Sequence, residues 1–331
     1  MKCTVLGAGA WGTTFGQVMA DAGNDVTMWA IEPEIVEGIR DRHHNAVRLP
    51  SVAKLPDNMT ATGDRAQAVK DADIIVVAIA AQFARVALAE FKDLIPDTAV
   101  VVSLMKGIER NTKKRMDEVV REALDLPAER FAAVSGPNLS KEIADRQPAA
   151  TVVACENLDN ARKVASACTT SYFKAFITSD VIGLEMCGSL KNVVALAVGM
   201  ARGAGYGENT AAMIETRGLA ELTAVGTAAG ALPETFHGLA GVGDLIATCG
   251  SPLSRNYTFG FNLGKGMSVA EATKASDGVA EGVATASAVV ELGEKYHVDT
   301  PLAKAVTRVL DDGISFSQMV SEMFPQGITV E

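Results

Sequence analysis

The sequence predicts an α/β protein whose first half is a parallel sheet wrapped by helices and whose second half is all-helical. Up to about Asp180, short runs rich in β-branched residues alternate with amphipathic stretches, as is typical of strands and crossover helices. Beyond Asp180 the apolar residues follow a helical period in Ala-rich segments. A length of 331 residues fits two domains better than one. We therefore expect domains at 1–180 and 181–331.

Six strands and four long helices can be placed from these patterns. The strands share a short apolar run and are expected at Cys3–Leu6, Asp25–Trp29, Asp73–Ile79, Ala99–Leu104, Phe131–Val134 and Thr151–Ala154. The helices are separated by Gly, Ser and Pro clusters and are expected at Val181–Met200, Thr210–Ala229, Val283–Tyr296 and Pro301–Leu310.

Composition and charge exclude several classes of protein. Hydrophobic residues make up 48% of the chain and charged residues 21%, which is typical of globular proteins and argues against disorder. A formal net charge of -10 leaves no excess of Lys and Arg to neutralise a phosphate backbone, so nucleic acid is not expected as a partner. Charged residues interrupt the apolar stretches before they could cross a bilayer, so no stable membrane insertion is expected.

Cysteine and histidine placement argues against disulfides and metals. The five cysteines are scattered without a CxxC pair, which predicts reduced thiols and a cytoplasmic protein. His43 and His44 are adjacent, so they cannot share a helix face as zinc ligands do. No metal site is expected.

A glycine motif predicts a dinucleotide site. The run GAGAWG at Gly7–Gly12 directly follows an apolar strand and opens a helix, which is the context that a G-x-G-x-x-G motif requires. Gly7 allows a tight turn, Gly9 allows close approach of a pyrophosphate, and Gly12 allows the helix to pack on the strand. The pattern predicts a Rossmann-type doubly wound sheet that binds NAD or NADP at the helix N-terminus.

Two charged residues bear on the choice of cofactor. Glu32 ends the second strand about 20 residues past the glycines, where a carboxylate can bind the ribose hydroxyls of NAD. Alternatively, Glu32 only begins the helix at Pro33, where its charge favours the helix dipole. Arg48 could instead neutralise the 2′-phosphate of NADP. Glu32 favours NAD slightly, and both cofactors stay open.

Candidate substrate residues follow two further strands. Lys106 lies just beyond the carboxyl end of a strand, where open α/β sheets bind ligands, although it could be a solvated loop lysine. The segment Ser135–Glu142 repeats the order of strand, turn and helix start, so its backbone N–H groups could hold a polar ligand.

Lys191 is the most informative residue, because it is the only formal charge between Met186 and Met200. If this helix is buried, desolvation should favour the neutral amine and make it a base near physiological pH. The alternative is a lysine that extends to solvent from the edge of an apolar face.

Two polar clusters follow in the second half. Asp244 lies in a glycine-flanked turn and could bind a hydroxyl or orient Lys191, or could simply cap a helix. Ser254, Arg255 and Asn256 offer a hydroxyl, a guanidinium and an amide, which suit a phosphate ester, although they could equally be a capped helix start.

Taken together, these motifs resemble those of the bacterial-type NAD(P)-dependent glycerol-3-phosphate dehydrogenase family, over essentially the whole chain. The resemblance is carried by GAGAWG at Gly7–Gly12, SLMKG at Ser103–Gly107, SGPN at Ser135–Asn138, LKNVVA at Leu190–Ala195, TRG at Thr216–Gly218, GLAGVGDL at Gly238–Leu245, SPLSRN at Ser251–Asn256 and VAEGV at Val279–Val283.

The resemblance implies interconversion of glycerol 3-phosphate and dihydroxyacetone phosphate, a homodimer, and supply of phospholipid synthesis. It implies that Lys191 is the proton acceptor, and that the substrate is bound by Lys106, Gly136, Asn138, Asp244, Ser254, Arg255 and Asn256. It implies cofactor contacts from Ala10, Trp11, Lys106, Ser140, Arg255, Val279 and Glu281. The chain departs from the family pattern at Ile31, where many members carry Arg or His, and at the pair Asn138 and Ser140.

Two other functions compete with this one. A related β-hydroxyacid dehydrogenase would join the same two kinds of domain around a catalytic lysine but oxidise a carboxylate substrate. A non-catalytic NAD(H)-sensing protein would keep the glycines without using the substrate groups.

Overall fold

The computed structural model describes residues 1–276 and 280–323 of the chain. The chain divides into two compact units, a first unit at Met1–Glu185 and a second unit at Met186–Glu331. The domain boundary expected after residue 180 stays a prediction, although a helix does begin at Val181.

The first unit is built on an eight-stranded sheet in the order β3-β2-β1-β4-β5-β6-β7-β8. Neighbouring strands are parallel throughout, except that β6 and β7 are antiparallel. The strands are β1 (Lys2–Leu6), β2 (Asp25–Trp29), β3 (Met59–Thr62), β4 (Ile74–Val77), β5 (Val100–Ser103), β6 (Phe131–Ser135), β7 (Ala149–Ala154) and β8 (Phe173–Thr178). This order confirms the predicted Rossmann-type doubly wound sheet.

Helices follow most of these strands and cover both faces of the sheet. They are α1 (Ala10–Asp21), α2 (Pro33–Arg42), α3 (Arg65–Val69), α4 (Ala84–Ala89), α5 (Met116–Leu124), α6 (Ser140–Ala144) and α7 (Leu158–Cys168). Strand β1 shows why both faces must be covered. Cys3 and Val5 join the buried cluster that includes Phe15 of α1, whereas Thr4 donates to the Ala68 carbonyl of α3 at 2.5 Å. Because successive side chains of β1 point to opposite faces, the strand packs against helices on both sides of the sheet.

All six predicted strands are present with small changes in their bounds, and two strands, β3 and β8, were missed. Both lie at the edges of the sheet. Edge strands need only one buried face, so β3 reads MTAT and β8 reads FKAFIT, with polar residues between the apolar ones. Neither gives the continuous apolar run that marks the central strands.

The second unit is helical throughout its described residues, as predicted. Its helices are α8 (Val181–Gly203), which starts before the unit boundary, α9 (Glu208–Ala228), α10 (Pro233–Phe236), α11 (Asp244–Cys249), α12 (Arg255–Gly264), α13 (Val269–Ala275), α14 (Glu281–Tyr296), α15 (Pro301–Asp311) and α16 (Phe316–Met323). A single π-helical turn at Leu239–Gly243 precedes α11.

We expected charged residues to interrupt every apolar stretch before it could cross a bilayer. Helix α8 does not meet this expectation, because its length and composition alone would allow it to cross a membrane. Within the protein, however, 94% of its most apolar window is buried, which is typical of the core helix of a folded domain. Glycines let α12 approach α8 closely: a Cβ on Gly260 would overlap the Leu196 backbone oxygen, and a Cβ on Gly199 would overlap that of Tyr257. Helix α12 is thereby fixed against the helix that carries Lys191.

Candidate active site

The glycine loop after β1 has the geometry that a dinucleotide requires. Gly7 has φ +109°, and a Cβ there would lie 2.6 Å from the Ala78 oxygen of the neighbouring strand end. A Cβ on Gly12 would overlap the Gly7 oxygen. By contrast, a Cβ on Gly9 would meet nothing within 4 Å, so the space in front of Gly9 is open. Two glycines therefore serve the fold, and the third keeps an approach to the backbone clear.

The N-terminus of α1 offers unused hydrogen-bond donors at this opening. Gly9 is the N-cap residue, no side chain caps the helix, and its first turn holds no acidic residue. Its first N–H groups, including those of Ala10 and Trp11, are therefore available for an anion. The Trp11 ring is held by an edge contact with Phe15, with centroids 5.6 Å apart. The loop fits the pyrophosphate of NAD or NADP.

Glu32 and Arg48 meet each other at the end of β2. Glu32 is the N-cap residue of α2, directly before Pro33, so the alternative that its charge favours the helix dipole stays open, although its side chain makes no capping hydrogen bond. Instead its Oε1 accepts a hydrogen bond from Arg48 Nη2 at 3.3 Å. The neighbouring Ile31 is 74% exposed. A carboxylate, a guanidinium and an exposed uncharged side chain thus lie at the end of β2, and the roles of Glu32 and Arg48 in cofactor choice stay predictions.

The first-unit substrate candidates make contacts of their own. Lys106 is partly buried and donates from Nζ to the Gly136 carbonyl at 3.2 Å, so it is not a solvated loop lysine. The Asn138 amide bridges to β7, donating to the Ala150 carbonyl at 3.0 Å and accepting from Thr151 Oγ1 at 2.9 Å. Ser140 begins α6, and its carbonyl accepts from Thr14 Oγ1 at 3.3 Å. The ligand roles of Gly136, Asn138 and Ser140 stay predictions.

Lys191 lies in a buried polar triad of the second unit. Its Nζ is 2.5 Å from Asp244 Oδ1 and donates to Thr248 Oγ1 at 2.6 Å. Thr248 Oγ1 lies 3.2 Å from the same Asp244 oxygen. The Lys191 and Asp244 side chains are 7% and 3% exposed, so Lys191 does not extend to solvent and Asp244 is more than a helix cap.

The triad brings two opposing influences to bear on the Lys191 amine. Burial alone favours the neutral amine, as the sequence suggested, but a carboxylate in direct contact favours the ammonium. The neighbouring thiol is no rival nucleophile, because burial raises the pKa of Cys249 well above its usual value. Lys191 therefore lies in a buried environment against a carboxylate and a hydroxyl.

Thr248 is the functional candidate that the sequence reasoning missed. Asp244 and Thr248 are four residues apart on α11, so both side chains lie on one face of that helix. The spacing D-x-x-x-T directly after the glycine-rich turn was the available signal.

The phosphate candidates occupy the start of α12. Ser254 is its N-cap and accepts from Tyr257 N at 3.2 Å, as the alternative predicted. Asn256 is buried and accepts from Gly282 N at 2.9 Å. Arg255 is exposed in the first turn and makes no ion pair with any residue that the structure describes. A cation there opposes the helix dipole, so an anionic ligand would relieve an unfavourable arrangement.

Glu281, at the beginning of α14, has a partly buried carboxylate that interacts electrostatically with Arg255. Its Oε2 is buried without a hydrogen bond to the described part of the chain, and burial raises the pKa of Glu281 while Arg255 opposes that rise. An unsatisfied buried oxygen suits a ligand with a hydroxyl or amide donor. Val279, the other cofactor candidate here, lies outside the described residues.

Other groups offer no metal chemistry or disulfide. Within 1–276 and 280–323, no group of three or more His, Cys, Asp and Glu residues is placed to hold a metal ion. All five cysteines are buried free thiols.

Comparison with known proteins gives consistent matches over the chain. The family model described as NAD-dependent glycerol-3-phosphate dehydrogenase N-terminus matches residues 2–161, and its C-terminus counterpart matches residues 180–321. A glycerol-3-phosphate dehydrogenase (NAD(P)+) of Bifidobacterium longum subsp. infantis is 80% identical over 328 residues, covering 99% of this chain and 98% of the relative. One from Corynebacterium kroppenstedtii is 50% identical with the same coverage. The crystal structure of the Coxiella burnetii glycerol-3-phosphate dehydrogenase superposes with a TM-score of 0.92 at 30% identity, covering 98% of this chain and 99% of that one.

Proposed function

Because the chain belongs to the NAD-dependent glycerol-3-phosphate dehydrogenase family, we propose that Lys191 exchanges the C2 proton of its substrate. As a member, the protein is an oxidoreductase that interconverts sn-glycerol 3-phosphate and dihydroxyacetone phosphate with NAD or NADP. The observation that carries the proposal is the buried contact of Lys191 with Asp244 and Thr248.

The proton transfer follows from this contact. When bound, NADH or NADPH would supply the hydride that reduces C2 of dihydroxyacetone phosphate. The Lys191 ammonium donates its proton to the C2 oxygen, and the resulting neutral amine regains a proton from solvent. Asp244 keeps the amine protonated between turnovers, and Thr248 fixes its direction. In oxidation, neutral Lys191 would remove the C2 hydroxyl proton, and NAD or NADP would accept the hydride from C2.

The substrate phosphate is assigned to the start of α12. Arg255 supplies a cation without an ion-pair partner among the described residues, and the buried Asn256 amide still has donors beyond its bond to Gly282. A phosphate held there uses remote binding energy to fix C2 for reaction. Lys106 would contribute positive charge at the C2 oxygen.

The cofactor and the cellular setting complete the proposal. Glu32 would bind the ribose diol of NAD, and because it also neutralises Arg48, NAD would be preferred over NADP. The enzyme would act as a cytoplasmic homodimer whose glycerol 3-phosphate enters phospholipid synthesis.

One assay tests this function against its two rivals. Purified protein is mixed with NADH and dihydroxyacetone phosphate, or with NADH and a short 2-keto acid, and NADH absorbance is followed. Consumption only with dihydroxyacetone phosphate supports the proposal. Turnover of the keto acid favours a hydroxyacid dehydrogenase, whereas NADH binding without turnover of either favours a sensor.

A further inference from the structure

We propose that Gln82 and Arg85 are positioning residues that hold the segment 106–115 so that Lys106 reaches its ligand. The proposal rests on the role given to Lys106 above. Lys106 lies at the beginning of this segment, directly after β5, and the two positioning residues come from the adjacent segment after β4.

Gln82 binds the segment as a neighbouring strand would. Its Nε2 donates to the Ile108 carbonyl at 2.8 Å, and its Oε1 accepts from Arg110 N at 2.9 Å. One side chain thus satisfies a backbone acceptor and a backbone donor two residues apart. This pair of hydrogen bonds fixes the register of the segment only two residues from Lys106.

Arg85 makes a second, charged attachment. Its Nε and Nη2 each donate to a different oxygen of Glu109 at 2.9 Å, and its Nη1 donates to Glu122 at 3.0 Å. Glu109 is only 11% exposed, and the guanidinium lowers the pKa of its carboxyl. A two-pronged contact of this kind restricts orientation as well as distance.

The restraint can reach Lys106 because the segment 106–115 is held together by its own backbone hydrogen bonds. Glu109 N donates to the Lys114 carbonyl at 2.9 Å and Lys113 N donates to the Glu109 carbonyl at 2.8 Å, while Ile108 and Arg115 form an antiparallel bridge. Residues 108–115 therefore form a small hydrogen-bonded hairpin, with Lys106 two residues before it.

Apolar burial and polar contacts both hold this part of the molecule. Ala84 and Ile108 are 0% and 2% exposed, whereas Phe83 and Val86, on either side of Arg85, are 66% and 74% exposed. Removing the polar contacts should therefore loosen the orientation of the hairpin while the burial of Ile108 keeps it attached to the protein.

Two variants and a control test the positioning role. Gln82→Met removes both hydrogen bonds at similar size, and Arg85→Lys keeps the charge but loses the two-pronged contact. The control is Arg146→Lys, which removes an equivalent contact with Asp21. We expect kcat/KM for dihydroxyacetone phosphate to fall about tenfold in both variants, with melting temperatures within a few degrees of the unchanged protein, and no fall in the control.

Combination with Lys106→Met separates positioning from general support. If Gln82 and Arg85 act through Lys106, their substitutions have no further effect on kcat/KM once Lys106 is gone. A further tenfold loss in the double variants would overturn the proposal. If Lys106→Met alone leaves kcat/KM unchanged, the role proposed for Lys106 fails first and the positioning role with it. Should Gln82→Met fold poorly, Arg85→Lys alone decides the result.

Discussion

Replacing Asp244 by Asn should unbalance the buried triad around Lys191. Asp244 Oδ1 is 2.5 Å from Lys191 Nζ, and both side chains are almost fully buried. The asparagine has nearly the same size and can still accept from Thr248, so the substitution chiefly removes one negative charge. The largely buried Lys191 ammonium then loses its contact with the Asp244 carboxylate.

The size of the effect follows from this burial. Leaving one member of a buried ion pair without its partner costs about 3 to 5 kcal/mol of unfolding free energy, whereas replacing both members by uncharged groups is often close to neutral. Loss of a negative charge from the first turn of α11 adds about 0.5 kcal/mol in either case. We therefore expect Asp244→Asn to lose at least about 3 kcal/mol and Lys191→Met/Asp244→Asn to recover most of that loss.

Urea unfolding, followed by far-ultraviolet circular dichroism, measures these changes in unfolding free energy. Tryptophan fluorescence is unsuitable, because Trp11 and Trp29 both belong to the first unit. Asp244→Asn should also reduce dihydroxyacetone phosphate more slowly, since Lys191 loses the group that keeps it protonated. A single variant as stable as the unchanged protein, or a double variant no more stable than the single one, would refute the reasoning.

Three further predictions follow from other parts of the structure. Gly9→Ala should keep the melting temperature of the protein but weaken NADH binding about tenfold, as measured by nicotinamide fluorescence. Gly12→Ala should fold poorly, because its methyl group would overlap the backbone. Equal effects of the two substitutions would contradict the roles given to the two glycines. Glu32→Gln should raise the ratio of NADPH to NADH kcat/KM by freeing Arg48, and an unchanged ratio would remove the pair from cofactor choice. Burial raises the pKa of Glu221 from an ordinary 4.5 to about 7. Between these pH values the folded protein holds a proton on Glu221 that the unfolded chain releases. The stability from this group is therefore fully present below about pH 4.5 and should be lost as pH rises through 7. The difference between these two pKa values corresponds to about 3 kcal/mol of unfolding free energy. Urea unfolding of Glu221→Gln should show no such fall in stability between about pH 4.5 and 7.

The sequence predicted the parts of the fold that depend on local pattern. The central strands are continuous apolar runs and the glycine motif has a fixed stereochemical use, so both could be located from composition and spacing. The edge strands β3 and β8 were missed because one face of each needs no apolar residues. The apolar length of α8 was underestimated, since its three charged residues hardly lower its mean hydropathy, and only the folded structure shows that the helix is buried in protein.

The candidate site was predictable as a set of residues but not as an arrangement. Lys191 and Asp244 could each be singled out, since a charge in an apolar helix and a carboxylate between glycines are unusual. Their direct contact depends on how α8 and α11 pack. Thr248 was missed because a threonine carries no charge that would single it out. Ser254 caps α12, and the sequence left this open because phosphate-binding turns and simple helix caps use the same residues.

Hydride transfer in Lys191→Ala, measured in a single turnover from a preformed complex with NADH, tests the central claim most directly. We expect the rate with dihydroxyacetone phosphate to fall about a thousandfold, nicotinamide fluorescence of the complex to be unchanged, and added ethylammonium to restore part of the rate. A rate within tenfold of that of the unchanged enzyme would show that another group delivers the proton.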